Sequence, residues 1–409
     1  MSNFDFYPGR FELLSVELSK DGSGINMTPM VLEINQNSSI VDSSVLVEFT
    51  VSDSRGVLST FPIDHGDRLD YTLKFSGETK DFTVFVNKIE SIENLESKRI
   101  YTIQCVSLLE FTSYTQRISR SFQGTSSDIA KSVFSEYSVQ DLGLWEQSLG
   151  NQQLVVPFKS PVEVINMMSK RSRSIDTNSL MYFFQDSNHR YNFCSLEALT
   201  KMYKGNPIDT YVYNSDTSSK NGIPNSESVR KEILDLTYLD TSDVRSRVHS
   251  NGIVGGLTFT DITTGTFHTY GYDYVEEFNP DDRLNDKPLF ENKVFPTGGG
   301  NYHHENLQTN TNSLEYNRKF DNSLIKRGQL NTSESIEITV KGNTVLDIGK
   351  VVEVLIPSVE VKNDQQSDPF DNRYSGKYLI VAKRDLYQNN EHSSIMILSK
   401  DSRIEGNYE

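Results

Sequence analysis

The sequence predicts a mainly β protein with smaller α+β parts. Residues 342–400 contain three short strand-like runs. A similar series of three runs, in the same order but less closely matched, occurs before residue 110. The chain also carries 20 Tyr and 22 Phe residues, and aromatic residues are enriched in strands. These observations favour two similar antiparallel β-barrel domains, accompanied by two smaller mixed α/β domains.

The length and composition set the limits of this organisation. A chain of 409 residues is too long for one core and should divide into about two to four domains. No apolar run approaches the ~20 residues of a membrane span. Residues 1–6 have neither the basic segment nor the apolar core of a secretory signal, so we expect synthesis in a cytoplasm. Cys105 and Cys194 lie in apolar strand-like runs, which predicts small buried side chains in a reducing compartment.

Residues 1–110 are predicted to form the first, tube-like barrel. Residues 13–18 and 45–51 alternate apolar and polar side chains, as strands with one buried face do. The turn-rich residues 52–56 end the second of these runs. Short strands at this spacing are typical of a barrel or a sandwich.

Helical periodicity begins after Phe111, so residues 111–206 are predicted to form a mixed α/β domain. Ile129 and Val133 fall on one face of a helix. Residues 160–163, Ser-Pro-Val-Glu, combine a capping box with proline at the first helical position, where its missing N–H costs nothing. An aromatic hairpin over residues 181–193 and a helix starting at Ser195 complete the domain.

Residues 207–235 and 315–402 are predicted to form the second tube-like barrel. Residues 236–314 would be a domain inserted into it, and residues 403–409 a C-terminal tail. Within the insertion, aromatic runs around a Gly-containing turn predict a hairpin. Residues 279–312 are rich in Asn, Asp, Gly and Pro and are predicted to form a long surface loop, and residues 316–330 a helix leading into the barrel.

An internal repeat would account for the two barrels. Residues 66–73 match the Gly349-Lys350 turn and the strand after it, residues 82–86 match residues 378–382, and residues 99–106 match the last strand-like run. The match lies in element order and spacing, because few residues are identical. Two unrelated all-β pieces therefore remain the alternative.

No group of residues in the sequence predicts catalysis, a metal site or a cofactor. The glycine run at residues 298–300 lacks the Lys-Ser/Thr of a phosphate loop. Adjacent His303 and His304 would point to opposite sides of an extended segment, so they are poor ligands for one ion. The acid pairs at residues 276–277 and 281–282 lie in polar loops, where they would stay ionised.

The remaining charged groups also indicate a protein that binds other proteins. His65, which lies beside Gly66, and His392, which lies in a polar turn, are both interpreted as surface residues. The chain has 40 basic and 56 acidic residues and a formal net charge of −16. Because affinity for nucleic acid rests largely on Lys and Arg releasing counterions, this balance argues against DNA or RNA as a ligand.

Five segments, taken in order, carry a likeness to a known family: residues 51–69 (with Ser-Asp-Ser-Arg-Gly and Pro-Ile-Asp-His-Gly-Asp), 158–168 (opening Phe-Lys-Ser-Pro), 183–196 (with Phe-Phe-Gln-Asp), 342–356 and 376–398. Together they resemble the central baseplate hub proteins of contractile-tailed bacteriophages. The same family forms the N-terminal half of the spike proteins of type VI secretion. Residues 279–312 match no part of the family's pattern. No needle-like or lysozyme-like segment follows residue 400, so we expect the spike to be a separate chain.

The resemblance implies a homotrimer in which each subunit adds two similar barrels to a ring of six. Such a baseplate hub would join the sixfold tail tube, or a tube-initiator protein, to the threefold central spike. It would also contact baseplate wedge proteins and form a channel for DNA ejection. The family implies a structural protein of the virion tail, assembled in the host cytoplasm, with no enzymatic activity and no cofactor.

Two further expectations follow from this interpretation. Asp70, Asp347 and Glu353 are candidates for acids that line the channel and keep passing DNA from sticking. Solubility explains the acidic balance equally well. The alternative function is a tail-associated adhesion or carbohydrate-binding protein, which the many Tyr residues and the long loop would also permit.

Overall fold

The chain is mainly β, as predicted, with its longer helices in the middle. The computed structural model describes residues 9–20, 22–176, 179–213, 231–240, 254–261, 266–273, 275–276, 278–289, 301–307, 334–357 and 370–404. The α-helices are α1 (Val57–Thr60), α2 (Leu108–Thr115), α3 (Ser126–Tyr137), α4 (Pro161–Arg171) and α5 (Leu196–Tyr203). Across these ranges, no helix combines the length and the apolar character that crossing a bilayer requires.

The strands follow one another with short connections in the first half of the chain. In chain order they are β1 (Glu12–Lys20), β2 (Ser23–Asn26), β3 (Val31–Ser39), β4 (Leu46–Asp53), β5 (Arg68–Phe75), β6 (Glu78–Asn94), β7 (Arg99–Val106), β8 (Ile118–Thr125), β9 (Leu142–Trp145), β10 (Asn151–Lys159), β11 (Met181–Gln185), β12 (Tyr191–Ser195), β13 (Thr210–Val212), β14 (Ile233–Asp240), β15 (Val254–Asp261), β16 (Thr266–Asp273), β17 (Lys287–Pro288), β18 (Asn301–Leu307), β19 (Glu334–Lys341), β20 (Val351–Leu355), β21 (Gly376–Gln388), β22 (Glu391–Lys400) and β23 (Ser402–Arg403).

Most of the β structure belongs to one large sheet of 13 strands. Its path runs β14-β19-β22-β21-β3-β4-β7-β6-β5-β1-β2, and β20 and β13 attach beside β21. Neighbouring strands pair antiparallel except β13 and β20, which are parallel. The path is open, and no sheet among the described strands closes on itself. The two closed barrels predicted from the sequence are therefore not confirmed.

This sheet contains the same five-stranded arrangement twice. The N-terminal unit runs β5-β6-β7-β4-β3, and the C-terminal unit runs β20-β21-β22-β19-β14. The long second strand of each unit has a β-bulge at the same step. The register shifts just after Val86, which faces Cys105 on β7, and just after Ile380, which faces Leu398 on β22. A β-bulge inserts one extra residue, so matching bulges fix how the two units align.

A second pair of bulges supports the same alignment. The register between β3 and β4 shifts after Val31, and that between β14 and β19 shifts after Ile233. With the bulges aligned, residues 31–34 (Val-Leu-Glu-Ile) match residues 233–236 (Ile-Leu-Asp-Leu). On the neighbouring strands, residues 47–51 (Val-Glu-Phe-Thr-Val) match residues 336–340 (Ile-Glu-Ile-Thr-Val). The two halves are thus copies of one arrangement rather than unrelated β pieces.

The turn that opens β5 and β20 was predicted in the correct register. Gly66 and Gly349 have φ angles of 90° and 80°, which L-residues with a Cβ rarely adopt. The Gly66 N–H donates to Val86 O at 2.8 Å, and the Gly349 N–H donates to Ile380 O at 2.9 Å.

The predicted match of residues 82–86 with residues 378–382 needs a correction. Residues 84–86, not 82–84, align with residues 378–380, because the alignment from sequence had no information on the bulges.

Three apolar cores lie beneath these strands. The N-terminal unit packs residues such as Phe49 and Tyr71 into one core, and the C-terminal unit packs Ile338 and Tyr378 into another. Tyr387 belongs to β21 in the chain but is buried in the core of the N-terminal unit. The third core lies between α2, α3, α4 and the β11-β12-β9 sheet, in a part that we call the middle unit (residues 107–203).

The helices α4 and α5 of the middle unit begin where the sequence predicted, whereas α2 begins at Leu108, before the predicted onset of helical periodicity after Phe111. Ser160 Oγ accepts a hydrogen bond from the Glu163 N–H, and Glu163 Oε2 accepts one from the Ser160 N–H at 2.8 Å, so the capping box before α4 is confirmed. The aromatic hairpin is the β11–β12 pair, and α5 begins directly after its cap, Ser195. Cys105 and Cys194 are buried, as expected.

The predicted insertion is only partly described, and one prediction in it is wrong. β15 and β16 form the expected antiparallel hairpin. Residues 279–312 are not simply a surface loop, since β18 pairs in parallel with β15 and Leu284 and Asn285 are buried. Asn285 is held because its Nδ2 donates to Lys377 O at 3.1 Å and to Ser402 O at 3.0 Å. The helix predicted for residues 316–330 lies outside the described residues.

The division of the chain into domains stays a prediction. β14 continues to Asp240 and pairs with β19, so the sheet extends past the predicted boundary at residue 235.

We expect the Ser160→Ala variant to weaken α4 locally. The variant loses the hydroxyl that accepts the Glu163 N–H, which should cost about 1 kcal/mol. Hydrogen exchange of the Pro161–Arg171 peptide should then be about fivefold faster than in the wild type. Ser54→Ala, at an exposed position after β4, is the control and should leave exchange in α4 unchanged. Unaltered exchange in Ser160→Ala would show that the cap does not stabilise the helix.

Candidate functional site at the junction of the two units

The two units meet where β21 pairs with β3. Backbone pairing runs from Ala382 opposite Ser39 to Gln388 opposite Glu33. Arg384 Nε adds a hydrogen bond to an Asn35 side chain, 2.9 Å from Oδ1. The β21–β22 hairpin turns through two Asn residues, 389 and 390, with φ angles of 52° and 62°, which suits a tight two-residue turn. The hairpin of the C-terminal unit is therefore built into the sheet of the N-terminal unit.

A buried charged cluster lies behind this pairing. The side chains of Lys383, Asp385 and His392 are each 2% exposed. Lys383 Nζ lies 2.8 Å from Asp385 Oδ2 and also donates to Leu346 O at 2.8 Å. Burial alone would raise the pKa of Asp385, but the charge of Lys383 and the contact with His392 hold that pKa well below its usual range. Burial lowers the pKa of His392, so this side chain is neutral at pH 7.

The cluster contains Ser, His and Asp but is not arranged as a nucleophilic triad. In a triad the histidine stands between the serine and the carboxylate. Here His392 Nε2, at 2.8 Å, and Ser394 Oγ, at 2.5 Å, both bind the same Oδ1 of Asp385. All three side chains are buried, which leaves a substrate no access. The arrangement thus fits a structural role for the three residues.

The sequence-based interpretation of His392 as a surface residue is wrong. Its ring stacks on Tyr387 with centroids 4.4 Å apart, and it lies 5.8 Å from the Phe75 ring. The residue follows a polar turn, as the sequence showed, but Phe75 of the N-terminal unit packs near its ring, and Gly9, which precedes β1, accepts the His392 N–H at its backbone O at 2.6 Å. His65, by contrast, is exposed as predicted.

The turn between β11 and β12 of the middle unit contacts both five-stranded units. From the N-terminal unit, Gln36 Nε2 donates to Ser187 O at 2.6 Å, and Lys80 Nζ donates to Asn188 Oδ1 at 2.5 Å. From the C-terminal unit, Asp347 accepts from the Ser187 N–H at 2.8 Å and from Asn188 Nδ2 at 2.7 Å. The turn therefore fixes the two units relative to each other.

The shape of this turn depends on Asp186 and leaves a histidine buried. Asp186 Oδ1 accepts from the Asn188 N–H at 3.0 Å and from the Arg190 N–H at 2.9 Å. Burial and the nearby Asp347 raise the pKa of Asp186 to about 6. His189 packs on the Phe82 ring with centroids 4.7 Å apart, and burial lowers its pKa to about 3.

The three acids predicted to line a channel occupy two kinds of position. Asp70 lies on β5 and Glu353 on β20, and the alignment of the bulges makes them equivalent, since Asp70 faces Thr83 and Glu353 faces Lys377. Asp347 precedes β20 and is only 1% exposed. Its carboxylate accepts hydrogen bonds from Ser187 and Asn188 of the β11–β12 turn, so this buried side chain cannot line a channel.

Both equivalent acids lie on the face of the sheet that points away from the cores. Asp70 forms an ion pair with Arg68 (Nε to Oδ2, 2.9 Å), and Glu353 Oε2 accepts from Thr210 Oγ1 at 3.0 Å. A second acid of each unit, Glu48 or Glu337, also lies at equivalent positions on this face. The repeat thus places matching acids on the uncovered side of each unit.

A groove of about 1050 Å³ runs beside the junction. Its lining is mostly polar and includes Asp42, Glu110 and Arg384, and it has no His or Cys side chain. Burial and the charge of Asp42 raise the pKa of Glu110. Elsewhere in the described part of the chain, no cluster of three His, Cys, Asp or Glu side chains could hold a metal ion.

Reasoning from the sequence missed the Lys383, Asp385 and His392 cluster. Lys383 and Asp385 alternate along β21 on the face that becomes buried, where charged residues are rare. Burial alternates from Lys383 to Tyr387, but the sequence Lys-Arg-Asp-Leu-Tyr does not alternate apolar and polar residues, so only the pairing with β3 shows that the face is covered.

We expect His189 to make stability fall in acid. In the unfolded chain an imidazole titrates near pH 6.5, whereas His189 in the fold titrates near 3. The unfolded state therefore binds more protons below pH 6.5, and His189 removes about 1.4 kcal/mol of stability per pH unit as pH falls toward 3. The His189→Phe variant should lack this contribution.

Urea denaturation at pH 7, 6, 5 and 4 measures the effect as a difference between wild type and variant. Stability should fall less steeply in His189→Phe, while contributions such as that of Asp186, which act in the opposite direction, cancel in the comparison. His65→Gln is the control for removing an exposed imidazole. Parallel curves for wild type and His189→Phe would contradict a neutral, buried His189.

Comparison with known proteins gives no sequence match but a clear match in fold. No protein-family model and no curated protein matches the chain. The tail protein from Neisseria meningitidis MC58 superposes with a TM-score of 0.60 at 11% identity, covering 96% of this chain and 97% of that chain. The 43 kDa tail protein of prophage MuSo2 from Shewanella oneidensis superposes with a TM-score of 0.55 at 12% identity, covering 95% and 98%.

Both superpositions align nearly the whole of this chain with nearly the whole of the other protein. At such low identity they establish a common fold. The resemblance to tail proteins is therefore confirmed at the level of the fold: the chain has the fold of these two tail proteins.

Proposed function

We propose that the chain is a structural tail protein that acts as a trimeric baseplate hub. The observation that carries this proposal is the double occurrence of one five-stranded unit in a single open sheet, in a chain with the fold of tail proteins. Three chains would supply six equivalent units, enough to meet a sixfold tube. The middle unit occurs once per chain and would keep the threefold order needed by a central spike.

In this hub the polar face of the sheet would line a channel through which DNA leaves. That face carries Asp70 and Glu353 at equivalent positions, so six chemically similar acids would form a ring around the channel. Negative charge would repel the DNA backbone and keep it from sticking during passage. The polar, half-exposed side chains of this face suit contact with water rather than with a further protein layer.

The partners in this proposal are the tail tube or a tube-initiator protein, the central spike and the baseplate wedge proteins, within a virion tail. The burial of Asp385, His392 and Ser394 supports a structural rather than an enzymatic role for that group. A glycan array separates the hub from an adhesion protein, since a hub should bind none of the arrayed glycans.

We expect the purified chain to form trimers of about three times 46.5 kDa as its concentration rises. Native mass spectrometry gives the mass, and electron microscopy of the same sample should show a ring with six lobes and an open centre. A dimer, or a trimer with no channel, would overturn the hub function and favour the adhesion alternative.

A charge reversal tests the channel. We expect the Asp70→Lys, Glu353→Lys double variant to bind duplex DNA with an affinity that falls as salt rises, whereas the wild type should not bind. Fluorescence anisotropy with a labelled duplex measures both. Glu136→Lys, Asp141→Lys is the matched control, because it makes the same change in net charge on the exposed surface of the middle unit. Equal DNA binding by the two double variants would contradict a channel lined by Asp70 and Glu353.

A further inference from the structure

The junction within the chain has a counterpart that lacks a partner strand. One edge of β21 pairs with β20 over residues 376–379 and then with β3 over residues 382–388. The corresponding edge of β6 pairs with β5 over residues 78–85. Beyond the bulge, residues 88–94 have no strand on that edge among the described residues. By the alignment of the two units, this is the edge that β3 covers on β21.

The strand equivalent to β3 is also at an edge. β3 pairs with β4 on one side and with β21 on the other. β14 pairs with β19 on one side and ends the path of the large sheet on the other, as far as the described residues go. Each chain therefore has one open edge on β6 and one on β14. Up to the second bulges, after Glu90 on β6 and after Tyr238 on β14, these two edges are equivalent to the two edges that pair within the chain; β21 and β3 have no second bulge.

The side chains at both edges support this pairing. Ile92 is 50% exposed at the β6 edge, and Leu234, Tyr238 and Leu239 are 51%, 42% and 48% exposed on β14. At the internal junction Gln36 on β3, the residue aligned with Tyr238, is only 1% exposed, whereas Leu32, the residue aligned with Leu234, is 47% exposed. Exposed strand edges with large apolar side chains are templates for pairing with another chain.

We propose that β14 of a second copy adds to the β6 edge in antiparallel register, as β3 adds to β21 within one chain. The proposal rests on the trimeric hub and names the surfaces that would join its subunits. The contact is head-to-tail, since each copy uses its β6 edge on one side and its β14 edge on the other, and such contacts close into rings. Internal and intermolecular junctions would alternate around the ring.

Two single variants test the two edges. Ile92→Lys places a charge in the β6 edge, and Leu239→Lys places one in the β14 edge. Both positions are about half exposed in the monomer, so each variant should fold with a wild-type circular dichroism spectrum. Burying an unpaired charge in the contact should raise the concentration at which trimers form by about tenfold or more. Val139→Lys, at a position 89% exposed on the middle unit, is the control and should assemble like the wild type.

Mixing the two variants gives a sharper result. Ile92→Lys keeps an intact β14 edge, and Leu239→Lys keeps an intact β6 edge, so one good contact forms between the two. The mixed pair then has only damaged edges left. An equimolar mixture should therefore stop at dimers of about twice 46.5 kDa, while neither variant alone dimerises at that concentration.

The outcomes separate this inference from the hub function. If the wild type forms rings and both Lys variants assemble as well as the wild type does, the edge pairing is wrong. The proposed hub function would be unaffected by that result. A wild-type chain that stays monomeric at every concentration would overturn the edge pairing too, because the pairing needs no other protein. A mixture that forms no dimers, although each variant alone is impaired, would show that the two edges do not pair with each other.

Discussion

The arrangement of this chain depends on the pairing of β21 with β3. That pairing turns two five-stranded units into one sheet, and it buries the side chains of Lys383, Asp385 and His392, each of which is only 2% exposed. Buried charges are tolerated only when they are paired and hydrogen-bonded, so the cluster requires the junction to form with its full set of contacts. The β11–β12 turn adds hydrogen bonds to both units and ties the middle unit to the same place.

Local signals predicted the parts of the structure that short segments determine. The capping box at Ser160, the glycine turns at Gly66 and Gly349 and the aromatic hairpin follow from residue types over a few positions, and each was predicted correctly. The class of fold and the order of the repeated elements followed as well. Two of the proposed channel acids, Asp70 and Glu353, occupy equivalent positions because of that repeat.

What the sequence could not supply depends on distant partners. Nothing near His392 shows that Gly9 and Phe75 enclose it, and nothing near Asp347 shows that a turn about 160 residues earlier takes up its carboxylate. The matching bulges after Val86 and Ile380 show that the alignment of these strands from the sequence was two residues out of register. A bulge is defined by the strand opposite, so it leaves little trace in its own sequence.

The distance along the chain between β3 and β21 has a consequence for folding. Ser38 and Lys383, which are hydrogen-bonded in the sheet, are 345 residues apart. During synthesis the N-terminal unit leaves the ribosome long before its partner strand exists, so β3 stays bare while most of the chain is still being made. Contacts of such long range form slowly. When many copies are synthesised at once, this unpaired edge of β3 is a point at which a nascent chain can pair with the wrong neighbour.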